Sequence, residues 1–171
     1  VYKAIEDEVD VINMSLTCTS SITLSNALAE ADEKGIVLVA GAGNDGTDST
    51  KRYPASLDFV IAVSAITEDN LISDFSNFGS HIDLAAPGTN IYSTMPNNKY
   101  LTKEGTSMAT PFVSAASAMA KAYHGEISTT AVKKLLYTSA TKISDDTDDC
   151  RYYGNGILNA LGIINELDDS P

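Results

Sequence analysis

Ile36-Val37-Leu38-Val39-Ala40-Gly41-Ala42-Gly43-Asn44-Asp45-Gly46 decides the fold. Ile36 to Ala40 is apolar at every position and rich in β-branched side chains, as a strand covered on both faces must be. The run then enters a turn of glycine and alanine. Upstream, Gly35 stands where a helix ends, and Ser25 to Lys34 follows Leu24 with Ala27, Leu28 and Ala31 at helical spacing. Earlier still, the apolar stretch Asp10 to Leu16 reads as a second strand buried on both faces. Strand, helix, strand in that order predicts a βαβ unit with a parallel pair.

Downstream, Val60 to Ala65 is a third apolar β run. Ile82 to Ala86 and Ile91 to Thr94 give shorter strands around Pro87-Gly88. Ser107 to Tyr123 is strongly helical and closes on His124-Gly125. Its small side chains on all sides predict a helix deep in the core. Thr129 to Thr138 is amphipathic, with Ala131, Val132, Leu135 and Leu136 on one side and Lys133 and Lys134 on the other. The expected fold is α/β, a three-layer α/β/α sandwich with a mostly parallel sheet and no internal repeat or linker.

Composition narrows the function classes. The chain has 171 residues, 43% of them hydrophobic, which suits a globular domain or most of one. A net charge of −12 repels phosphate backbones and anionic membranes, so nucleic acid is not an expected partner. The acidic runs Asp145, Asp146, Asp148, Asp149 and Glu166, Asp168, Asp169 read as solvated loops or tails rather than cation sites. No apolar stretch approaches the roughly 20 residues of a bilayer span, so no membrane span is expected in this segment. The chain opens on Val1-Tyr2-Lys3-Ala4 without signal-peptide character. Cys18 and Cys150 match no zinc or redox spacing, and one disulfide or two free thiols both fit.

Chemistry concentrates in two segments. In Gly105-Thr106-Ser107-Met108-Ala109-Thr110-Pro111 a serine sits where a loop becomes a helix, beside unpaired N–H groups and the positive end of the dipole. A nucleophile there can use its own N–H to stabilise an oxyanion. Ser107 could equally serve as a plain helix cap. Asn44 lies past the C-terminal end of a parallel strand, where ligands of open α/β sheets bind, and its carboxamide can donate toward a developing oxyanion. Alone, Asn44-Asp45-Gly46 also reads as a tight turn.

Taken together, the chain resembles the subtilisin family of serine proteases over nearly its whole length. The matching stretches are Asp10 to Leu16, Ala42 to Gly46, Tyr53-Pro54-Ala55, Ala85-Ala86-Pro87-Gly88, Gly105 to Pro111 and Tyr153-Gly154-Asn155-Gly156, in the family's order. The resemblance implies residues 1–171 as the C-terminal portion of one catalytic domain, with its N-terminal part missing. It implies peptide-bond hydrolysis through an acyl-enzyme on Ser107, with Asn44 and the Ser107 N–H forming the oxyanion hole. Ser15, Leu16 and Thr17 would pair with an extended polypeptide substrate. Gly41, Ala42 and Gly43 would form the opposite wall of the pocket for the side chain before the cut bond.

The chain departs from the family's pattern in places. Thr17 replaces a usual glycine and narrows the pocket mouth. Arg52 stands near the pocket floor, either turned out to solvent or pointing inward to attract acidic side chains. Phe112 replaces a usual histidine, with a packing role expected. The family often binds calcium, and the turn after Tyr53-Pro54 is the place to look. The sequence shows no dense ligand motif, so no cofactor is required and calcium stays an option. Secretion or the cell envelope is the expected location.

A serine nucleophile needs a base. His124 lies 17 residues along one helix from Ser107, about 25 Å at 1.5 Å per residue. His81 matches no catalytic position of the family. In the family the order is aspartate, histidine, serine, so both partners would lie upstream of Val1. The chain by itself is therefore expected to be inactive, with the missing N-terminal part of the same domain as a partner and apolar surface exposed where it would pack. An α/β-hydrolase would need Gly-x-Ser-x-Gly, and Ala109 replaces its second glycine. A non-catalytic peptide-binding module is the remaining alternative.

Overall fold

The computed structural model describes residues 1–48, 52–125, 127–143 and 150–168. Four strands form one parallel sheet in sequence order: β1 (Val11–Met14), β2 (Val37–Gly41), β3 (Ile61–Ile66) and β4 (Leu84–Pro87). The register pairs Val11 with Val37, Val39 with Ile61 and Val63 with Leu84. Helix α1 (Tyr2–Glu6) precedes β1, and α2 (Ile22–Glu33) links β1 to β2. After β4 come a hairpin of β5 (Ile91–Met95) and β6 (Lys99–Lys103), then α3 (Thr106–His124), α4 (Thr129–Ser139), α5 (Cys150–Tyr153) and α6 (Ala160–Asp168). The predicted α/β layering is present.

The alternation of side chains along each strand splits the core in two. Val37, Val39, Ile61, Val63 and Leu84 face α3, α4 and α6 and meet Ala109, Val113, Ala116, Ala120, Val132, Leu136 and Ile163. Leu38, Ala40 and Ala62 face the other way and meet Leu28 and Ala31 of α2 and Ile5 of α1. β2 and β3 are buried at every position, which is why they read as unbroken apolar runs.

Several expectations change. β1 is not buried on both faces: it is an edge strand with Asn13 exposed, because no strand pairs with its outer side among the described residues. α2 begins at Ile22 rather than Ser25, because the Ser21 hydroxyl accepts from Leu24 N (3.3 Å) and caps the helix there. α3 is not enclosed on all sides. Phe112, Met119 and Tyr123 lie exposed along one flank, and Phe112, expected to pack, is 42% exposed. Lys133 is half-buried and donates to the Phe59 carbonyl (2.7 Å).

Sequence reading missed α5, α6 and β6. The hairpin is turned by Asn97 and Asn98, at φ of 64° and 56°, and its exposed Tyr92 and Tyr100 stack at 5.5 Å. Both cysteines are free. The acidic run 145–149 and Asp169 lie outside the described residues.

Candidate active site

The residues singled out for nucleophile, oxyanion and substrate contacts gather at the C-terminal edge of the sheet. β2 ends at Gly41 and turns through Asn44, while β1 runs on into Ser15, Leu16 and Thr17. Gly105 starts α3 at a φ of +142° that only glycine holds without strain, and its N–H donates to the Gly88 carbonyl (2.9 Å) beyond β4. A Cβ there would stand 3.2 Å from Asn44 Nδ2. The glycine thus lets the α3 N-terminus close on the Asn44 turn.

Thr106 orients that asparagine. Its backbone N–H and its Oγ1 both donate to Asn44 Oδ1, at 2.9 and 3.0 Å, and its Oγ1 also accepts from Gly43 N (3.1 Å). A backbone N–H can only donate, so the carbonyl end of the carboxamide must face Thr106. The amino group is left beside Gly105, two residues from Ser107.

Ser107 follows in the first turn of α3, where a backbone N–H has no intrahelical acceptor. Its hydroxyl donates to the Ser15 carbonyl (3.1 Å), and the Ser15 hydroxyl donates back to the Ser107 carbonyl (2.9 Å). Pro111 explains the second bond. Four residues on from Ser107, it has no N–H to offer the Ser107 carbonyl, so Ser15 supplies the donor instead. The arrangement can present an oxygen nucleophile beside two N–H donors, which is what acyl transfer needs.

A cleft of about 210 Å³ opens beside these groups. Leu16, Thr17, Gly41, Gly43 and Arg52 line it together with Asn44 and Ser107. Ala42 does not: it is fully buried behind the cleft. Ser15 meets Ser107 rather than lining the cleft. The Thr17 methyl lies 3.4 Å from where a Cβ on Gly43 would be, so it reaches across the mouth. Arg52 takes a third course beside the two foreseen. It lines the cleft, but its guanidinium pairs with Asp45 at 2.6 Å, with both side chains about half exposed.

The histidines stay apart from this edge. His124 ends α3. His81 lines a separate cleft of about 180 Å³ with Ser56, Asp58 and Asp83, at the end where β3 and β4 begin. Both its ring nitrogens are buried without a hydrogen-bond partner. Burial pulls the imidazole below its ordinary value of 6.5, partly opposed by Asp48. The unfolded chain therefore takes up the proton first as pH falls, so the contribution of the neutral His81 to stability is full above about pH 6.5 and is lost below it. In the same cleft burial raises Asp83, against a hydrogen bond from Ala62 N (2.8 Å), and that group acts in the opposite sense, adding stability as pH falls through its raised value. Melting temperature should fall between pH 7 and pH 5, and His81→Leu should flatten that slope. An unchanged slope would assign the pH dependence elsewhere.

Among the described residues no three His, Cys, Asp or Glu side chains gather as a metal site. The cleft after Pro54 sets the His81 imidazole among its carboxylates, whereas calcium takes six to eight oxygens.

Three contributors escaped the sequence reading. In the sequence Thr106 carries no role beyond its place in the motif, and Asp45 reads as a turn residue. Asn77 was not singled out at all. It is fully buried between β3 and β4, and only its place in Asp74-Phe75-Ser76-Asn77-Phe78-Gly79, a polar run between apolar strands, could have drawn attention.

Comparison with known proteins gives the family. The subtilase family model, Peptidase_S8, matches residues 1–156. Subtilisin DY of Bacillus licheniformis is 39% identical over 160 residues, covering 91% of this chain and 57% of the relative. Subtilisin E of Bacillus subtilis (strain 168) is 40% identical over 160 residues, covering 91% and 41%. The structure of the prenylagaramide maturation protease PagA superposes with a TM-score of 0.84 at 32% identity, covering 97% of this chain and 65% of that one. The chain thus spans about half the length of these curated relatives. With a family model matched from residue 1 to residue 156 and relatives about 40% identical, this chain belongs to the subtilase family of serine proteases.

Proposed function

We propose that this chain is the C-terminal portion of one subtilisin-like catalytic domain and that the complete protein is a serine endopeptidase. Ser107 Oγ attacks the scissile carbonyl, and the Asn44 amide and the Ser107 N–H receive the oxyanion. The supporting observation is the pair of hydrogen bonds from Thr106 N–H and Oγ1 to Asn44 Oδ1, which leaves the amino end of the carboxamide to donate on the Ser107 side. The general base and its orienting carboxylate come from an upstream part of the domain, because His81 lines a different cleft and His124 ends α3, at the opposite end of the helix from Ser107. On that reading the chain by itself is inactive, its Ser107 hydroxyl engaged by a backbone carbonyl that cannot take its proton. Hydrolysis of a chromogenic peptide by this chain, by the complete protease and by its Ser107→Ala variant is the test.

Substrates are polypeptides, with Leu16 and Thr17 facing the extended chain and Gly41 and Gly43 facing the side chain before the cut. Catalysis needs no cofactor on this reading, because the nucleophile and the oxyanion donors are groups of the chain itself. Among the described residues no helix is long and apolar enough to cross a membrane. Secretion or placement in the cell envelope goes with the family resemblance.

The Asp45–Arg52 pair sets specificity in this reading. With its charge met internally, Arg52 does not recruit acidic side chains. Asp45→Asn in the complete protease should free it and raise kcat/KM for Glu relative to Phe before the cut by about 3- to 10-fold at low salt, and less at high salt. A ratio unmoved by the substitution would place Arg52 out of reach of the substrate.

A further inference from the structure

We propose that Asn77 is a positioning residue that holds the Asn44 turn, setting the oxyanion donor and the Asp45–Arg52 pair in register with Ser107. This rests on the oxyanion reading of Asn44. Thr106 holds the asparagine from the α3 side, and backbone bonds tie the far end of the turn to the β3–β4 connection, Gly46 N–H donating to the Phe75 carbonyl (2.8 Å) and Phe78 N–H to the Thr47 carbonyl (3.1 Å). Asn77 adds a side-chain hold from the opposite side. Its Oδ1 accepts from Asp45 N (2.9 Å) and Thr47 N (3.3 Å), and its Nδ2 donates to the Ala42 carbonyl (3.0 Å) and to Asp45 Oδ2 (3.2 Å). Its own N–H donates to the Gly43 carbonyl (3.0 Å).

These bonds grip the backbone on both sides of Asn44 without touching Asn44. They reach across 30 to 35 residues of sequence, so the side chain acts as a strut between the β3–β4 connection and the turn. Asn77 is fully buried, where each polar atom must find a partner, and the turn provides acceptors and donors for both ends of its carboxamide. Gly43 confirms how close the fit is: it sits at φ +103°, and a Cβ there would come within 2.4 Å of Asn77 Nδ2. Through Asp45 Oδ2 the strut also reaches Arg52, because that carboxylate accepts from both Asn77 and the guanidinium. One side chain thereby links the oxyanion donor to the specificity pocket. A displacement well below 1 Å suffices to weaken a transition-state hydrogen bond while substrate binding persists.

The test uses the complete protease. Asn77→Asp keeps Oδ1 for Asp45 N and Thr47 N but turns an oxygen toward the Ala42 carbonyl and the Asp45 carboxylate. kcat should fall about 10- to 100-fold with KM within about 2-fold, the signature of an interaction made only in the transition state. Combined with Asn44→Ala, the losses should be far from multiplicative, since both act through one donor. A purely structural asparagine would lower stability while leaving kcat intact and its loss independent of Asn44, which would overturn the inference. Failure of both Asn77→Asp and Asn77→Ser to fold, with Asn44→Ala folded, would overturn it as well. An unchanged kcat in Asn44→Ala would bring down the oxyanion reading and this inference with it.

Discussion

Replacing Ser107 by alanine in the complete protease should abolish peptide hydrolysis, with a loss in kcat on the order of a million-fold. That magnitude is the one measured for the nucleophile of a subtilisin, a member of this family, rather than one derived from these distances. Removing the hydroxyl removes the acyl-enzyme route, leaving only what bound donors can do for water. The 171-residue chain should behave like that variant even with Ser107 present. Its hydroxyl rests on the Ser15 carbonyl, His81 lines a different cleft, and His124 ends α3 at the far end of the helix from Ser107. A helix dipole can lower the energy of an anion but cannot accept a proton, so the serine stays a weak nucleophile at neutral pH. Chromogenic peptide assays at matched concentrations check this. Robust turnover by the chain alone, or undiminished turnover by the Ser107→Ala protease, would place the machinery elsewhere and favour a peptide-binding role for this module.

Asn44→Ala in the complete protease should lower kcat about 100- to 1,000-fold with little change in KM, again the size measured for the oxyanion asparagine of a subtilisin. The structural reason is specific to this chain. Thr106 consumes Asn44 Oδ1 with two donors, so the amino group is aimed and needs no reorganisation when charge develops on the substrate oxygen. Asn44→Asp tests that reasoning further. Its second oxygen would face the oxyanion as an acceptor, so it should be at least as damaging as alanine. Equal rise in KM and loss in kcat/KM with kcat preserved would instead make Asn44 a substrate-binding group.

The parallel sheet was legible because β2 and β3 are covered on both faces, and such strands cannot hide their apolar runs. Edge strand β1 misled for the same reason: Asp10 to Leu16 carries the composition of a covered strand, but its outer side is open among the described residues. The helices α5 and α6 were lost because four- and nine-residue segments carry too few turns for a clear period.

By itself the sequence determined the βαβ layering, the loop-to-helix place of Ser107 and the end-of-strand place of Asn44, since each follows from local pattern. Only the tertiary structure decided which way the Asn44 amide points, what holds the Ser107 hydroxyl, that Asp45 rather than solvent meets Arg52, and that Asn77 braces the turn. Those outcomes depend on hydrogen bonds between residues up to 92 apart in the chain, and no local periodicity encodes which polar groups the packed sheet will bring face to face.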